Sequence, residues 1–334
     1  MKSGRHRMPS DTTQTATPKS HRPKSTASNT QKSPTQSSAD QRHNCPICST
    51  AMSPLYSIDR FSPALDIWRC AGCGLQKNAT VPNDLESLYS DDYYSGQSDY
   101  SYRDERKSEE YHDIVWQARL KTIAKTHRPP GSFLDIGCSF GGFVDAASRF
   151  GYRAVGLDLS SFAVEEGRKL GRDLRQGELS LNKFGRNQFA VITMIEVMEH
   201  LPDPLTAIQC ICRWLKPGGL LVIQTANFLG RQAIREGQNY HYYLPGHLYY
   251  YSSRNLSTLL GNQGFVDFHL YRGVDFGLLP KLKKMRGQWK AEKGSKVPLG
   301  RLAATSMYHL KSRIAWRDFA LTSSMVLYAR KGAL

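Results

Sequence analysis

The sequence predicts an α/β protein built on a βα-repeating parallel sheet and preceded by a small zinc-ribbon-like module. Three observations carry this expectation. From Phe133 onward, short apolar runs alternate with helical patterns, as in chains whose strands are covered by helices on both faces. Residues 133–142 read as a strand entering a turn of small residues that opens a helix. Upstream, Cys45-Pro46-Ile47-Cys48 and Cys70-Ala71-Gly72-Cys73 are two C-x2-C knuckles separated by twenty-one residues.

Taken in order, residues 1–44 are rich in Ser, Thr, Pro, Gln and Lys and poor in apolar side chains. Such a stretch cannot bury enough surface to offset its ordering entropy, so it reads as a disordered basic tail. Residues 45–82 form the four-cysteine module, and the acidic, tyrosine-rich 83–114 a linker or embracing segment. The remaining 115–334 make the α/β domain. Its strands are read at 133–136, 154–159, 174–176, 189–195, 220–225, 266–271 and 325–329. Its helices are read at 142–150, 161–170, 204–215 and 254–260. Ser160 is a natural N-cap for the second helix, and Lys216-Pro217-Gly218-Gly219 a terminator for the third.

Of 334 residues, 45 are Lys or Arg and 29 Asp or Glu, a formal charge of +16. Residues 1–44 supply +6 and residues 281–317 supply +10, so the rest of the chain is neutral. The body is therefore no general polyanion binder; attraction to phosphates or anionic lipid belongs to the tail and to a basic insertion at 276–320. A mean hydropathy of −0.49 and the lack of a long apolar run exclude an integral membrane protein. The N-terminus lacks the apolar segment of a secretory signal. Seven cysteines are an odd set in a mid-sized chain, which points to a reducing compartment and a cytoplasmic location.

Two thiolates from each knuckle complete a tetrahedral shell, so Cys45, Cys48, Cys70 and Cys73 are expected to form a structural zinc site with no open position for catalysis, against the alternatives of four unligated thiols or a redox pair. In the glycine-rich turn, Gly137-x-Ser139-x-Gly141 departs from the dinucleotide spacing. Asp135 before the first glycine would oppose a pyrophosphate but attract an ammonium or sulfonium group. Asp158 ends the next strand, where an acid can accept both ribose hydroxyls, and Glu178 follows the third strand near an adenine edge.

With Asp135-Ile136-Gly137, Val155-Gly156-Leu157-Asp158 and Leu215-Lys216-Pro217-Gly218-Gly219, the chain from Arg119 onward resembles the class I S-adenosylmethionine-dependent methyltransferases. The cysteine knuckles and the Tyr-rich stretch after them are similar to a subgroup with a four-cysteine module in front, often acting on sugars, lipid-linked glycans or secondary metabolites. The resemblance implies a Rossmann-like, seven-stranded, mostly parallel sheet with its last strand antiparallel. It also implies an S-adenosylmethionine site formed by Arg119, Asp135, Gly137, Cys138, Ser139, Gly141, Asp158, Leu159, Glu178 and Ile195. Two departures stand out. Ser139 replaces the middle glycine, which a negative φ would accommodate, and Ala190 stands where many relatives carry an acid.

After the fourth strand, Glu196-Val197-Met198-Glu199-His200 is similar to the corresponding stretch of ubiquinone-biosynthesis O-methyltransferases. His200 has the intrinsic pKa of a base for removing an acceptor proton. Glu196, Glu199 and His200 can alternatively hold a divalent ion, or simply brace the turn. Residues 239–251 are dense in Tyr and contain His247, the second candidate base; they suit a flat polar acceptor or a packed lid. The activity expected is O-methylation of a glycan, glycolipid or small metabolite, with the basic insertion as a contact for an anionic membrane. The alternative is an RNA methyltransferase whose zinc module and basic segments grip the backbone. A third reading keeps the cofactor fold as a non-catalytic scaffold.

Overall fold

The computed structural model describes residues 44–80, 104–316 and 319–333. The tail, most of the stretch read as a linker and two residues near the end lie outside the described residues. Three antiparallel strands, β1 (Met52–Ile58), β2 (Leu65–Cys70) and β3 (Gln76–Asn78), build the cysteine module. The chain then enters α1 (Glu109–Ile123), which begins inside the stretch read as linker. That sequence carries no strong apolar stripe, yet Leu120 and Ile123 at its end are fully buried.

The central sheet contains seven strands: β4 (Ser132–Ile136), β5 (Arg153–Asp158), β6 (Leu174–Gln176), β7 (Phe189–Ile195), β8 (Leu215–Ala226), β10 (Phe265–Tyr271) and β13 (Ser324–Lys331). Their order is β10-β13-β8-β7-β4-β5-β6. The five strands from β8 to β6 run parallel, and β13 is antiparallel to both β8 and β10. Thus the expected mostly parallel sheet with an antiparallel last strand is present. Val191, Ile192 and Met194 of β7 are fully buried, each stabilising the fold by roughly 1.5–3 kcal/mol.

Helices α2 (Gly142–Phe150), α3 (Ser161–Lys169), α4 (Pro204–Trp214), α5 (Arg231–Glu236) and α6 (Ser253–Asn262) fill the crossovers. Their starts are legible in their caps. Ser160 Oγ accepts from Ala163 N at 3.2 Å, and Asp203 Oδ1 accepts from Thr206 N at 3.0 Å with Pro204 in the first turn. Each such cap contributes about 1 kcal/mol.

Three expectations are corrected. Lys216-Pro217-Gly218-Gly219 does not separate a helix from a strand: α4 stops at Trp214, and β8 runs through the four residues. The pairing jumps from Phe189↔Leu215 to Val191↔Leu220, so the Pro/Gly stretch is a bulge in the strand. The basic insertion is folded into helices α7 (Leu278–Lys293) and α8 (Leu299–Lys311). Ser139 has a φ of 51°, in the left-handed region rather than at the negative value expected. Ser139 N donates to Asp158 Oδ2 at 2.7 Å, and this charged bond offsets a conformational cost on the order of 1 kcal/mol. Short strands β9 (Tyr249–Tyr250), β11 (Ala315–Trp316) and β12 (Phe319–Ala320) complete the chain. Among the described residues, no helix is long and apolar enough to cross a membrane.

Candidate active site

The carboxyl end of β4 runs into the turn 137–141, where Gly137 and Gly141 have φ of 69° and 78°. A Cβ on Gly137 would sit 2.3 Å from Val197 Cγ2, so glycine is required there on both counts. Asp135 is buried, and its Oδ1 accepts from Thr193 Oγ1 at 2.6 Å. Burial pushes its carboxyl up to about 7, with the nearby acids Glu105 and Asp158 adding to the rise. Asp158 Oδ1 accepts from Ser160 N at 3.0 Å while Oδ2 accepts from Ser139 N. Cys138 is buried with its thiol pushed up by desolvation. Ser139 Oγ is buried without a hydrogen-bond partner, at a place where a ligand would supply one.

Leu159 and Ile195 are half-buried at the ends of β5 and β7, the two strands that flank β4, and Glu178 is exposed beyond β6. Arg119 is engaged elsewhere: its Nε donates to both oxygens of Asp275, at 3.0 and 3.1 Å, and Nη2 donates to Gln224 Oε1. Its charge nonetheless opposes the rise in Asp135. Sequence reasoning missed the segment ahead of α1, where Glu105 is buried and the Arg106 guanidinium lies 3.9 Å from the centre of the Phe140 ring. These residues stand in the stretch read as linker, and no local pattern marks them.

The second cluster lies where β7 and β8 end. The fully buried Glu199, together with His200 and His247, offers three metal-ligating atoms within 4.8 Å of one another. His200 Nδ1 is 2.9 Å from the Gly246 carbonyl and His247 Nδ1 is 2.8 Å from the Tyr242 carbonyl. A carbonyl only accepts, so each Nδ1 donates and each Nε2 carries a lone pair. Burial lowers both imidazoles, that of His247 to about 3, so both are neutral at physiological pH. The Tyr242 hydroxyl bridges Glu199 Oε1, at 2.8 Å, and Glu196 Oε2. Burial and the neighbouring Glu196 raise Glu199 well above the usual carboxylate range. Its Oε2 is buried without a partner. The residues thus fit a divalent ion, and two imidazoles with one carboxylate suit a transition metal better than magnesium. Sequence reasoning placed His247 and Glu199 in separate motifs; the structure brings them together through Leu248 N, which donates to the Glu199 carbonyl at 2.7 Å.

Residues 108–270 match a protein family described as a methyltransferase domain. Those residues, just under half of the chain, are similar to methyltransferase domains. The seven-stranded, mostly parallel sheet with its antiparallel last strand is the one the resemblance implied, and the four-cysteine cluster stands before it in the chain. The chain is 37% identical over 107 residues to the Ubiquinone biosynthesis O-methyltransferase of Actinobacillus pleuropneumoniae serotype 5b (strain L20), covering 28% of this chain and 45% of that protein. To the protein of the same name from Xanthomonas campestris pv. campestris (strain B100) it is 33% identical over 117 residues, covering 33% of this chain and 49% of the other. The chain therefore spans less than half the length of these curated relatives. A solved structure of a SAM-dependent methyltransferase from Archaeoglobus fulgidus is similar with a TM-score of 0.47 and 16% identity, over 68% of this chain and 98% of that one.

The cysteine module is joined to the α/β domain by backbone pairing. Strand β3 pairs antiparallel with β9, Gln76↔Tyr250 and Lys77↔Tyr249, extending the module's sheet to four strands. Arg60 donates from both terminal nitrogens to the carbonyls of Gln238, Tyr240 and Tyr243. Tyr243 OH donates to Gln76 Oε1 at 2.5 Å. Tyr240, Tyr243, Tyr249, Tyr250 and Tyr251 are all buried, so this aromatic run mainly cements the joint, and Tyr242 is the tyrosine that touches the carboxyl cluster.

Within the module, Cys45 Sγ and Cys73 Sγ are 3.4 Å apart, as are Cys48 Sγ and Cys70 Sγ. All four sulfurs lie within 4.8 Å of one another, a spacing that fits a tetrahedral tetrathiolate. The two knuckles repeat one turn: Ser49 N donates to the Cys45 carbonyl and Gly74 N to the Cys70 carbonyl, with φ of 58° and 73°.

Proposed function

We propose that this chain transfers the methyl group of S-adenosylmethionine to a hydroxyl oxygen of a small metabolite, glycan or glycolipid. The observation that carries the reading is the placement of the Asp135–Asp158 loop and the buried Glu199–His200–His247 cluster at the carboxyl edge of one sheet, where α/β folds bind ligands. The printed name of the curated relatives supports oxygen as the acceptor atom.

In this reading Asp135 supplies negative potential to the cationic methionine end, and Ser139 Oγ finds its partner there. Asp158, at the end of β5, accepts the ribose hydroxyls. Leu159 and Glu178, following β5 and β6, flank the adenine, Ile195 lines the site on the β7 side of β4, and Gly137, Cys138 and Gly141 let the backbone approach. Arg119, through Asp275, braces the floor beneath. Glu199, His200 and His247 would hold a divalent ion, which would supply Lewis acidity to lower the pKa of the acceptor hydroxyl. Transfer from a sulfonium then requires in-line alignment and loss of the acceptor proton. The acceptor proton would pass to Glu199, and Tyr242, which bridges Glu199 Oε1 and Glu196 Oε2, would relay it to the exposed Glu196 carboxylate and on to solvent. With burial lowering its imidazole to about 3, His247 suits a metal ligand better than the base that takes the acceptor proton. The four cysteines bind zinc as a structural ion.

Incubation with labelled S-adenosylmethionine and fractionated extract should place label in glycan, lipid or small-metabolite fractions; nuclease-sensitive label in RNA would overturn this acceptor class. Replacing His247 with Ala should lower bound metal by about one equivalent and the transfer rate at least ~100-fold. Unchanged metal content would remove the ion from the reading.

Cofactor affinity should also depend on pH. In the ligand-free protein Asp135 holds its proton up to about pH 7, and a bound cation favours the carboxylate, so binding releases a proton. Affinity is therefore full above about pH 7 and falls by up to about tenfold per unit below it. Calorimetry in buffers of different ionisation enthalpy reads the released proton directly; affinity constant between pH 5.5 and 8 would contradict the assignment of Asp135.

A further inference from the structure

We infer that the α7–α8 hairpin is a docking surface for an anionic lipid bilayer, a role that stands whichever hydroxyl is methylated. The two helices run antiparallel. Lys281 Nζ lies 4.7 Å from the centre of the Tyr308 ring, Thr305 Oγ1 donates to Met285 Sδ, and the Arg301 guanidinium lies 4.7 Å from the centre of the Trp289 ring. The inner side of α7 meets α1, where a Cβ on Gly287 would strike the Tyr111 ring at 2.3 Å.

The outward faces are unlike each other and complementary. On α7, Leu279, Lys283, Arg286, Lys290 and Lys293 recur at steps of four, three, four and three residues, so they share one face, and all are exposed. On α8, Leu299, Ala303, Met307 and Leu310 recur at four, four and three and are likewise exposed; Leu299 is 81% exposed and Leu310 59%. One helix thus presents a basic stripe and its neighbour an aliphatic one, on a segment of net charge +10 whose single acid is Glu292.

That pairing selects the partner. Exposed aliphatic side chains have nothing to gain from a sugar–phosphate backbone, and neither stripe carries an aromatic ring on which a base could stack. A bilayer of anionic lipid offers both an interfacial apolar layer and negative headgroups, the two surfaces this hairpin lacks partners for. The hairpin also stands beside the proposed acceptor side: Tyr308 bonds with Thr322, and the next residue, Ser323, accepts from Tyr240 OH at 3.4 Å. A membrane docked there would present lipid headgroups next to the aromatic loop.

The test is flotation of the full chain with vesicles of phosphatidylcholine alone or with 30% phosphatidylglycerol. We expect binding to the anionic vesicles at least about tenfold above that to neutral ones at 0.15 M salt. The variant K283E/R286E/K290E should lower that binding at least about a hundredfold. The variant L299S/M307S/L310S should remove the part that survives high salt. All substituted side chains are exposed, and unchanged circular dichroism and cofactor binding confirm intact folding. Equal binding to both vesicle types, or variants that bind like the parent because the tail is the grip, would overturn the inference. So would capture of a single-stranded oligonucleotide by the parent chain without vesicle binding.

Discussion

Replacing Asp158 with Ala is expected to weaken S-adenosylmethionine binding about a hundredfold. The carboxylate has two roles at once: it accepts from Ser139 N and Ser160 N at 2.7 and 3.0 Å, and in the proposed site it meets the ribose hydroxyls. A hydrogen bond to a charged group contributes ~1.5–3 kcal/mol, and each ~1.4 kcal/mol is tenfold in affinity, so losing the ribose contacts alone reaches that size. The loss also releases the left-handed Ser139, whose amide bond to Asp158 holds the loop in its cradle. The experiment is titration calorimetry with S-adenosylmethionine and with S-adenosylhomocysteine. Both ligands contain the ribose, so Asp158→Ala should weaken both alike. Asp135→Asn should weaken mainly the sulfonium ligand, since only that ligand carries the extra positive charge. Unchanged affinity in Asp158→Ala would remove this residue from the cofactor site.

The difference between these two acids was legible in the sequence because it rests on local order. Asp135 precedes a glycine turn and Asp158 ends the following strand, so strand-by-strand reading puts both at one edge of the sheet. The same holds for β7, whose apolar run announces burial, and for α3 and α4, whose caps are one residue from their starts. What escaped reading is what distant residues decide. Strand β9 is two residues long and exists because β3 offers it a partner edge from more than a hundred and fifty positions earlier. The Lys216–Gly219 stretch looks like a terminator until Val191 is seen to need a partner beyond a bulge. His247 meets Glu199 through a loop whose path is set by the cysteine module. Likewise, Ser139 is a poor residue for φ of 51° by intrinsic preference, and only the facing carboxylate of Asp158 makes it acceptable.

Because that loop is shared, substituting Cys70 with Ser should abolish methyl transfer while leaving the cofactor bound. A structural zinc site contributes on the order of 10 kcal/mol to the fold that holds it, and Cys70 is buried in the same hydrophobic cluster as Leu75, Leu248, Tyr249 and Tyr251. Losing the ion therefore loosens β2 and β3, and with them the pairing of Lys77 with Tyr249. Residues 247 and 248 adjoin β9, so His247 and the bond from Leu248 N to the Glu199 carbonyl lose their support. The cofactor loop is held differently: Gly137 N donates to the Leu157 carbonyl at 2.7 Å and Ser139 N to Asp158, bonds lying wholly within the β4–β5 edge. The expected result is loss of zinc, a fall in transfer rate of at least ~100-fold, and cofactor affinity within about threefold of the parent. Melting followed in parallel should show an early transition from the module ahead of the main one. A variant that loses zinc and still transfers methyl groups at the parental rate would mean that β9 keeps its place without the module. One that loses cofactor binding as well would mean that the module supports the whole sheet rather than its acceptor edge.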